Sequence, residues 1–439
     1  MTAVPPGGTT DADADAAPAT DDAALRLRHL NEVAGLLWPA PASAGFDVRG
    51  EVISEYLLVL GARRPRLLIP ARHPRAAAAA VRRYAEPGVV TQRLALRGLS
   101  TALRTGLGAG APWPRFRVCL DGAPGGPEVA TIETYLRGAL APGGADTADD
   151  DDLVLSMSIG PARANRKPVL QVLTRYGRTV GFAKIGVNEL TRTLAAAEAD
   201  SLRTVAAAAP RHLIVPSVLH QGRWNGLEIL ALSPLPIWLP RARHSTARLR
   251  AAMLEVAEIG GVTTAPLRDS RYWADLGRRL RSLGTDDTAG ALREAYARIS
   301  ERAGDAPLRY GSWHGDWTPW NMATLRDTLL VWDWERFGGG VPVGFDAVHY
   351  TFQDAVVRGG SDPAVAVTRT LDDAVPLLAP FGVTSHESAA ARLTALLYFI
   401  DIAARYVADR QEQAGARLGR PREWLLPVLA VEVERLHVG

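Results

Sequence analysis

The stretch that most constrains this chain is a polar loop and a short apolar run at residues 310–335, which read YGSWHGDWTPWNMATLRDTLLVWDWE. Asp316 and Asn321 lie five positions apart in a loop interrupted by glycine and proline, and the apolar run 329–332 leads into Asp333. This order can bring two carboxylates and an amide oxygen to one point. A carboxylate can orient a substrate hydroxyl, and Mg²⁺ takes oxygen ligands while it bridges the phosphates of ATP. The stretch therefore predicts a site for phosphoryl transfer.

The same residues also resemble a known family. The HGD at 314–316, with Asn321 and the WDWE at 332–335, is similar to the catalytic loop and metal motif of the aminoglycoside phosphotransferase and choline kinase families, small-molecule relatives of protein kinases. The resemblance implies these roles: Asp316 as the catalytic base, Asn321 and Asp333 as Mg²⁺ ligands, and His314 as a catalytic-loop residue that braces the loop. An ordinary polar turn between a helix and a hairpin is the alternative.

Composition sets broad limits on the class of protein. The chain has 439 residues, 47% of them hydrophobic and 22% charged, which predicts a soluble protein of two or three domains. One cysteine, Cys119, excludes an intramolecular disulfide and fits a reducing cytoplasm. The sequence contains no run of about 18 apolar residues, so no membrane span is predicted. A net charge of +3 gives no reason to expect a nucleic-acid partner. The oligomeric state stays open.

Lysine is scarce, and its two positions are informative. Among 50 basic residues only Lys167 and Lys184 are lysines; the others are arginines. An ammonium is a compact point charge that can reach between two phosphates, whereas a guanidinium is a wide planar fork. Each lysine is therefore a candidate for a role that arginine does not fill.

Changes in pattern along the chain suggest a domain organisation. Residues 1–24 carry few large apolar side chains and are expected to be disordered. Residues 25–145 are expected to form an α/β extension that starts with a β-hairpin around 61–65, and an acidic linker at 146–152 follows it. The remainder is expected to be a bilobal, protein-kinase-like α+β fold, with an antiparallel-sheet N-lobe at 153–236 and a helical C-lobe at 237–439.

The expected N-lobe holds candidates for nucleotide binding. Lys184 falls on the third strand, where kinases hold the α- and β-phosphates, and Glu198 falls on the next helix, where its partner carboxylate belongs. Glu189 on the same helix competes for that role. The phosphate loop lacks GxGxxG, so side chains must supply donors to the phosphates, for which we name Ser158, Asn165 and Lys167. Lys167 as a solvated turn residue is the alternative.

The segment after the fifth strand resembles an inter-lobe hinge. Adenine needs one backbone acceptor and one backbone donor, and Pro234 and Pro236 cannot donate. This leaves the carbonyl of Ser233 or Leu232 and the N–H of Leu235 as the predicted adenine contacts.

Candidates for the acceptor pocket come from the helical part. Asp401 interrupts an apolar helix and either faces the substrate or pairs with Arg405, one turn on. Trp317 and Trp320 either stack on a sugar or pack in the core. Further candidates are the acids Asp354 and Glu335. Asp346 matches an aspartate that braces the catalytic loop in the resembling families; an N-cap is its simpler interpretation.

These observations predict an ATP- and Mg²⁺-dependent phosphotransferase that modifies a hydroxyl of a small molecule, such as a sugar, an aminoglycoside or a similar polyol. One rival is a catalytically silent, kinase-like binding protein. Another is a metal-dependent hydrolase built on Asp316, Asp333 and His314, which leaves the placement of Lys184 unexplained. The sequence does not separate roles in resistance, biosynthesis and catabolism.

Overall fold

Alternating apolar residues and Gly- or Pro-rich turns give this chain a large antiparallel sheet and a set of helices. The computed structural model describes residues 19–59, 65–85, 90–106, 112–120, 130–140, 153–159, 167–237, 239–383, 388–410 and 418–436. They fall into an N-terminal unit, residues 16–199 and 216–238, and a C-terminal unit, which contains residues 200–215 and 239–439. The α+β class predicted from the sequence is confirmed.

The N-terminal unit is built on one nine-stranded sheet. Its strands are β1 (Ala42–Gly45), β2 (Glu51–Val59), β3 (Leu67–Pro70), β4 (Arg115–Leu120), β5 (Leu153–Ser158), β6 (Val169–Thr174), β7 (Thr179–Gly186), β9 (Val218–Trp224) and β10 (Leu227–Leu232). They lie in the order β1-β4-β2-β3-β5-β6-β7-β10-β9. Every neighbouring pair is antiparallel. The predicted hairpin is confirmed as β2–β3.

Helices cover both faces of this sheet, because successive side chains of a strand point to opposite sides. Leu58 and Leu68 pack in the core with α1 (Ala19–Leu37) and α4 (Ile132–Leu140), whereas Leu57 and Ile69 pack with α2 (Pro74–Ala85) and α3 (Val90–Arg104). The helix α5 (Glu189–Ala207) follows β7. Asn188 caps it, since its Oδ1 accepts the Thr191 N–H at 2.9 Å.

The C-terminal unit is mainly helical. Its helices are α6 (Thr246–Ala257), α7 (Arg271–Ser282), α8 (Asp287–Ala303), α9 (Phe345–Gln353), α10 (Pro363–Asp372), α11 (Ala374–Leu378), α12 (Ser388–Ala408), α13 (Pro421–Trp424) and α14 (Leu426–Arg435). Two three-stranded sheets accompany them. Their strands are β8 (Leu213–Ile214), β11 (Thr263–Pro266), β12 (Pro307–Trp313), β13 (Met322–Thr324), β14 (Leu329–Val331) and β15 (Gly338–Pro342).

Two features differ from the expected organisation. The helix α1 begins at Ala19, inside the segment that the sequence suggests is disordered. The strand β3 of the expected extension pairs with β5 of the expected N-lobe, with Leu67 opposite Ser158, so both segments contribute to one sheet. The expected linker at 146–152 lies outside the described residues. Among the helices that the structure describes, none is both long and apolar enough to cross a membrane.

Candidate active site

The predicted catalytic loop leaves the end of β12 and turns sharply at Gly315. This glycine has a φ of +81°, and an added Cβ would lie 2.4 Å from the Arg336 carbonyl oxygen. A side chain would therefore meet both left-handed backbone strain and a clash with main chain. The buried carboxylate of Asp346, on α9, accepts the N–H groups of His314 at 2.7 Å and Gly315 at 3.1 Å. The loop is thus fixed from its first residue.

Asp316 and Asn321, predicted as base and metal ligand, meet directly. The Nδ2 of Asn321 donates to the Asp316 Oδ2 at 2.9 Å and to the Asp316 carbonyl at 3.0 Å. Both hydrogen bonds of the Asn321 amide nitrogen therefore go to Asp316, which leaves the amide oxygen of Asn321 as the group that can bind a cation. About a third of the Asp316 side chain is exposed, at 35%, so its carboxylate can be reached by a substrate.

His314 is a brace and does not line an open surface, since it is fully buried. Its Nδ1 accepts the Asp316 N–H at 3.2 Å, so its Nε2 carries the proton and donates to the Trp332 carbonyl at 3.2 Å. Burial lowers the pKa of His314 to about 4, although the charges of Asp316 and Asp333 oppose this. The ring is therefore neutral near pH 7, and it connects the catalytic loop to the segment that leads into Asp333.

The strand β14 leads into Asp333, the other predicted metal ligand. Asp333 adopts a left-handed backbone with a φ of 73°, a strained conformation that aspartate tolerates better than most residues. Carboxylate oxygens of Asp333 and Glu335 lie within 4.8 Å of each other. The sequence suggests Glu335 only as an acid of the acceptor pocket. Together with the Asn321 amide oxygen, these carboxylates are the oxygen donors that Mg²⁺ prefers.

The Asp346 carboxylate is under opposing influences. Burial raises its pKa to about 7, while the two backbone N–H donors from His314 and Gly315 lower it. Since burial is the larger effect, this group titrates far above a normal aspartate. It is bonded to the loop backbone as the resemblance implies, and its Oδ atoms make no N-cap bond for α9.

Two residues of this site were not identified from the sequence. His349, on α9, lies 3.3 Å from the Asp316 Oδ1 through its Nε2. Arg405, on α12, donates to the Gly315 carbonyl at 2.7 Å and lies over the Trp313 ring. Burial acts to raise the pKa of Asp316, but the hydrogen bond from His349 and the positive charge of Arg405 outweigh it and lower the pKa.

A second contact joins the end of α12 to the segment after Asp333. Arg336 donates to Asp409, which lies directly after α12. Both side chains are largely buried, at 18% and 11% exposure. Through Arg405 and Asp409, the C-terminal end of α12 therefore holds the catalytic loop and the segment after Asp333.

The N-terminal unit contains the predicted lysine–glutamate pair. Lys184 on β7 donates to both carboxylate oxygens of Glu198 on α5, each at 2.7 Å. Glu198 is fully buried, whereas the competing Glu189 is exposed at the start of the helix. Within the sheet, β5, β6, β7, β10 and β9 are adjacent in that order, and α5 follows the third of them. This is where protein kinases carry their phosphate-binding lysine and its partner.

The other predicted nucleotide contacts fall on loops and strand ends. Ser158 is exposed at the end of β5, Lys167 is half-buried before β6, and Asn165 lies outside the described residues. Ser233 uses its N–H and Oγ to bind Ser217, at 2.9 and 2.8 Å. The Leu235 carbonyl accepts the Ile237 N–H at 2.8 Å, and the adenine contact of the Leu235 N–H stays a prediction.

The candidate acceptor acids are mostly engaged elsewhere. Asp401 binds Arg279 through both oxygens, at 3.1 and 2.6 Å, so the predicted pairing with Arg405 is wrong. The two partners come from different helices, a contact that local spacing does not predict. Asp354 binds Arg358 at 2.9 Å.

The two tryptophans near Asp316 differ in exposure. Trp317 is fully buried, so core packing replaces the sugar-stacking alternative for this residue. Trp320 is half-buried and remains a candidate for stacking.

Solved structures similar to this chain include small-molecule kinases. An aminoglycoside phosphotransferase, solved with ADP and hygromycin B, is 13% identical with a TM-score of 0.44 over 71% of this chain and 100% of that chain. A choline/ethanolamine kinase family protein from Mesorhizobium loti is 16% identical with a TM-score of 0.35 over 69% and 94%. An amicoumacin kinase, solved with AMP-PNP and Ca²⁺, is 11% identical with a TM-score of 0.39 over 62% and 86%. No protein-family model and no curated protein sequence matches the chain.

Proposed function

We propose that this protein transfers the γ-phosphoryl group of ATP to a hydroxyl of a small molecule. The observation that carries the proposal is the bond from the Asn321 amide nitrogen to Asp316, because it leaves the amide oxygen of Asn321 available to a cation beside an accessible carboxylate. The Lys184–Glu198 pair supports a kinase over the metal-dependent hydrolase, which has no use for it. A silent binding protein is disfavoured because the ionisable residues of the proposed chemistry are all present.

Each residue has a defined task in this proposal. Asp316 orients the acceptor hydroxyl and takes its proton, and Asn321 and Asp333 hold Mg²⁺, with Glu335 as a further carboxylate at that point. When bound, Mg²⁺ neutralises charge on the β- and γ-phosphate oxygens. Lys184, fixed by Glu198, holds the α- and β-phosphates, and the Leu235 N–H and Ser233 carbonyl bind adenine. Positioning and electrostatics supply most of the rate, because the transition state of phosphoryl transfer is loose.

For the acceptor we favour a neutral polyol or sugar over a polycation. A polycationic aminoglycoside requires several carboxylates in its pocket, yet Asp401 and Asp354 are each paired with an arginine and Glu335 lies beside Asp333. Choline requires an aromatic cage, and the half-buried Trp320 alone does not form one.

Thermal unfolding with and without Mg²⁺–ATP tests the nucleotide site. A ligand that binds only the folded state raises the unfolding temperature by mass action. We expect a shift in the wild-type protein that shrinks in Asp333→Ala and persists in Asp316→Asn. ADP release with a panel of sugars should fall by about 10²–10⁴-fold in Asp316→Asn, because the base is lost.

The matched control for this test is Asp354→Asn, which makes the same chemical change in an exposed ion pair of the C-terminal unit. It should keep both the thermal shift and the turnover. Absence of any shift at millimolar Mg²⁺–ATP would contradict the proposal, and a shift without ADP release from any acceptor would favour the silent binding protein.

A further inference from the structure

The side of Asp316 that faces away from Asn321 is occupied by a buried histidine. His349 is fully buried on α9, and its Nε2 lies 3.3 Å from the Asp316 Oδ1. No hydrogen bond within standard geometry is recorded for this nitrogen among the described residues. Distances of this kind are often long in the absence of substrate and shorten in the reacting complex. A carboxylate oxygen therefore lies within 3.3 Å of a nitrogen that is removed from water.

The other nitrogen of His349 decides which tautomer it adopts. Its Nδ1 lies 2.8 Å from the hydroxyl of Tyr398, a fully buried residue of α12. If the Tyr398 hydroxyl donates to Nδ1, the ring proton sits on Nε2 and points at the Asp316 carboxylate. The opposite tautomer would place a lone pair of Nε2 against a negative charge, which is unfavourable. Burial also raises the pKa of Tyr398 well above its usual value, so the hydroxyl keeps the proton it needs to donate.

Packing holds this arrangement in place. The Tyr398 ring meets His349 and Phe345 edge-on, with centroids 5.8 Å apart in both pairs. All three side chains are fully buried, and they join α9 to α12. The imidazole therefore has little freedom to rotate. Asp316, by contrast, is partly exposed, and without two fixed donors its carboxylate could turn away from an acceptor.

We propose that His349, oriented by Tyr398, is a positioning residue that holds the Asp316 carboxylate in the orientation that accepts the proton of the acceptor hydroxyl. Asn321 holds Oδ2 and His349 holds Oδ1, so the two donors fix the plane of the carboxylate. The proton moves from the hydroxyl to Asp316 and no further, because the Nε2 of His349 already carries one. This inference rests on the proposed phosphotransferase function.

Substitutions at His349 separate positioning from packing. His349→Leu keeps much of the volume but removes the donor, whereas His349→Gln places an N–H donor near the position of Nε2. With Mg²⁺–ATP alone and water as acceptor, we expect His349→Leu to lower kcat for ADP release by about 10–100-fold with the KM for ATP unchanged. His349→Gln should recover most of that loss, which a purely structural role does not predict.

Tyr398→Phe tests the second member of the chain of contacts. It retains the ring and removes only the hydroxyl, so we expect a smaller loss of kcat, again without a change in the KM for ATP. The double variant with His349→Leu should be no slower than His349→Leu alone, because Tyr398 acts through His349. His212→Gln, on a half-exposed histidine bound to Glu255, is the matched control and should behave like the wild-type protein.

A spectroscopic readout makes the test independent of turnover. In protein labelled with ¹⁵N-histidine, the His349 resonance, assigned by its loss in His349→Gln, should show the Nε2–H tautomer in the wild type and lose that single tautomer in Tyr398→Phe. If the wild-type protein releases no ADP, the proposed function fails, and the tautomer still decides the contact with Asp316. An Nδ1–H tautomer, or equal kcat losses in His349→Leu and His349→Gln, would overturn the inference.

Discussion

At the scale of single residues, the absence of a side chain at Gly315 sets how closely the catalytic loop approaches the segment after β14. Gly315→Ala should cost several kcal/mol and most of the activity, because it adds both left-handed strain and a contact at 2.4 Å with main chain. Free energies of unfolding from urea titration, together with ADP release, measure the two effects.

Gly340→Ala is the control for this substitution. Gly340 has a similar φ of +77°, but an added Cβ there meets nothing within 4 Å. Only the strain remains, so we expect a cost of about 1–2 kcal/mol. Equal costs at the two positions would show that the approach to Arg336 is not tight.

At the scale of elements, the pairing of β3 with β5 makes the first part of the chain a structural partner of the second. A variant that lacks residues 1–145 would lose the helices α1 to α4 and the strands β1 to β4, and would expose β5 as an unprotected edge beside uncovered Leu155 and Leu170. We expect it to be insoluble, or to show no cooperative unfolding by circular dichroism. A cooperatively unfolding protein after this deletion would contradict this expectation.

Elements that depend on local pattern could be predicted from the sequence. The HGD loop, the strand before Asp333 and the position of Lys184 follow from short-range order of polar and apolar residues, and the structure places them as expected. The shared sheet could not be predicted, because each segment contains complete hairpins and an acidic stretch separates them. Strand pairing across such a gap depends on packing that single-sequence patterns do not encode.

The missed site residues have a similar explanation. His349 and Arg405 reach Asp316 and Gly315 across 33 and 90 positions, from helices whose rotation decides which side chain faces the loop. Arg405 was misassigned because spacing of one turn favours a bond within the helix, whereas Asp401 binds a different helix through Arg279. A histidine three positions after Asp346 on the same helix was the available signal.

At the scale of the whole molecule, two groups of the site give global unfolding an unusual pH dependence. The pKa of His314 is lowered from 6.5 to about 4, so unfolding takes up a proton between these values and stability falls as the pH is lowered through them. The pKa of Asp346 is raised from 3.8 to about 7, so unfolding releases a proton and stability falls as the pH rises through that window. The two dependences oppose each other between about pH 4 and 6.5.

Substitution of either residue should reveal the pH dependence of stability that the other residue contributes. Asp346→Asn should lose stability more steeply than the wild type as the pH is lowered from 6.5 to 4, whereas His314→Gln should gain stability relative to the wild type over the same range, because only the Asp346 contribution remains. Urea unfolding at a series of pH values measures both slopes. Parallel curves for the wild type and Asp346→Asn would mean that Asp346 is ionised throughout.

The two contacts from the end of α12, to Gly315 and to Arg336, affect how the protein loses activity when it is heated. Helix ends open more readily than helix centres, and Arg405 and Asp409 lie in the last turn of α12 and just after it. Fraying of one turn would break the contacts of α12 with Gly315 and Arg336 together while the hydrophobic cores stay folded. Warming should therefore inactivate this protein before it melts, and on cooling the lost activity should return without any refolding of the chain.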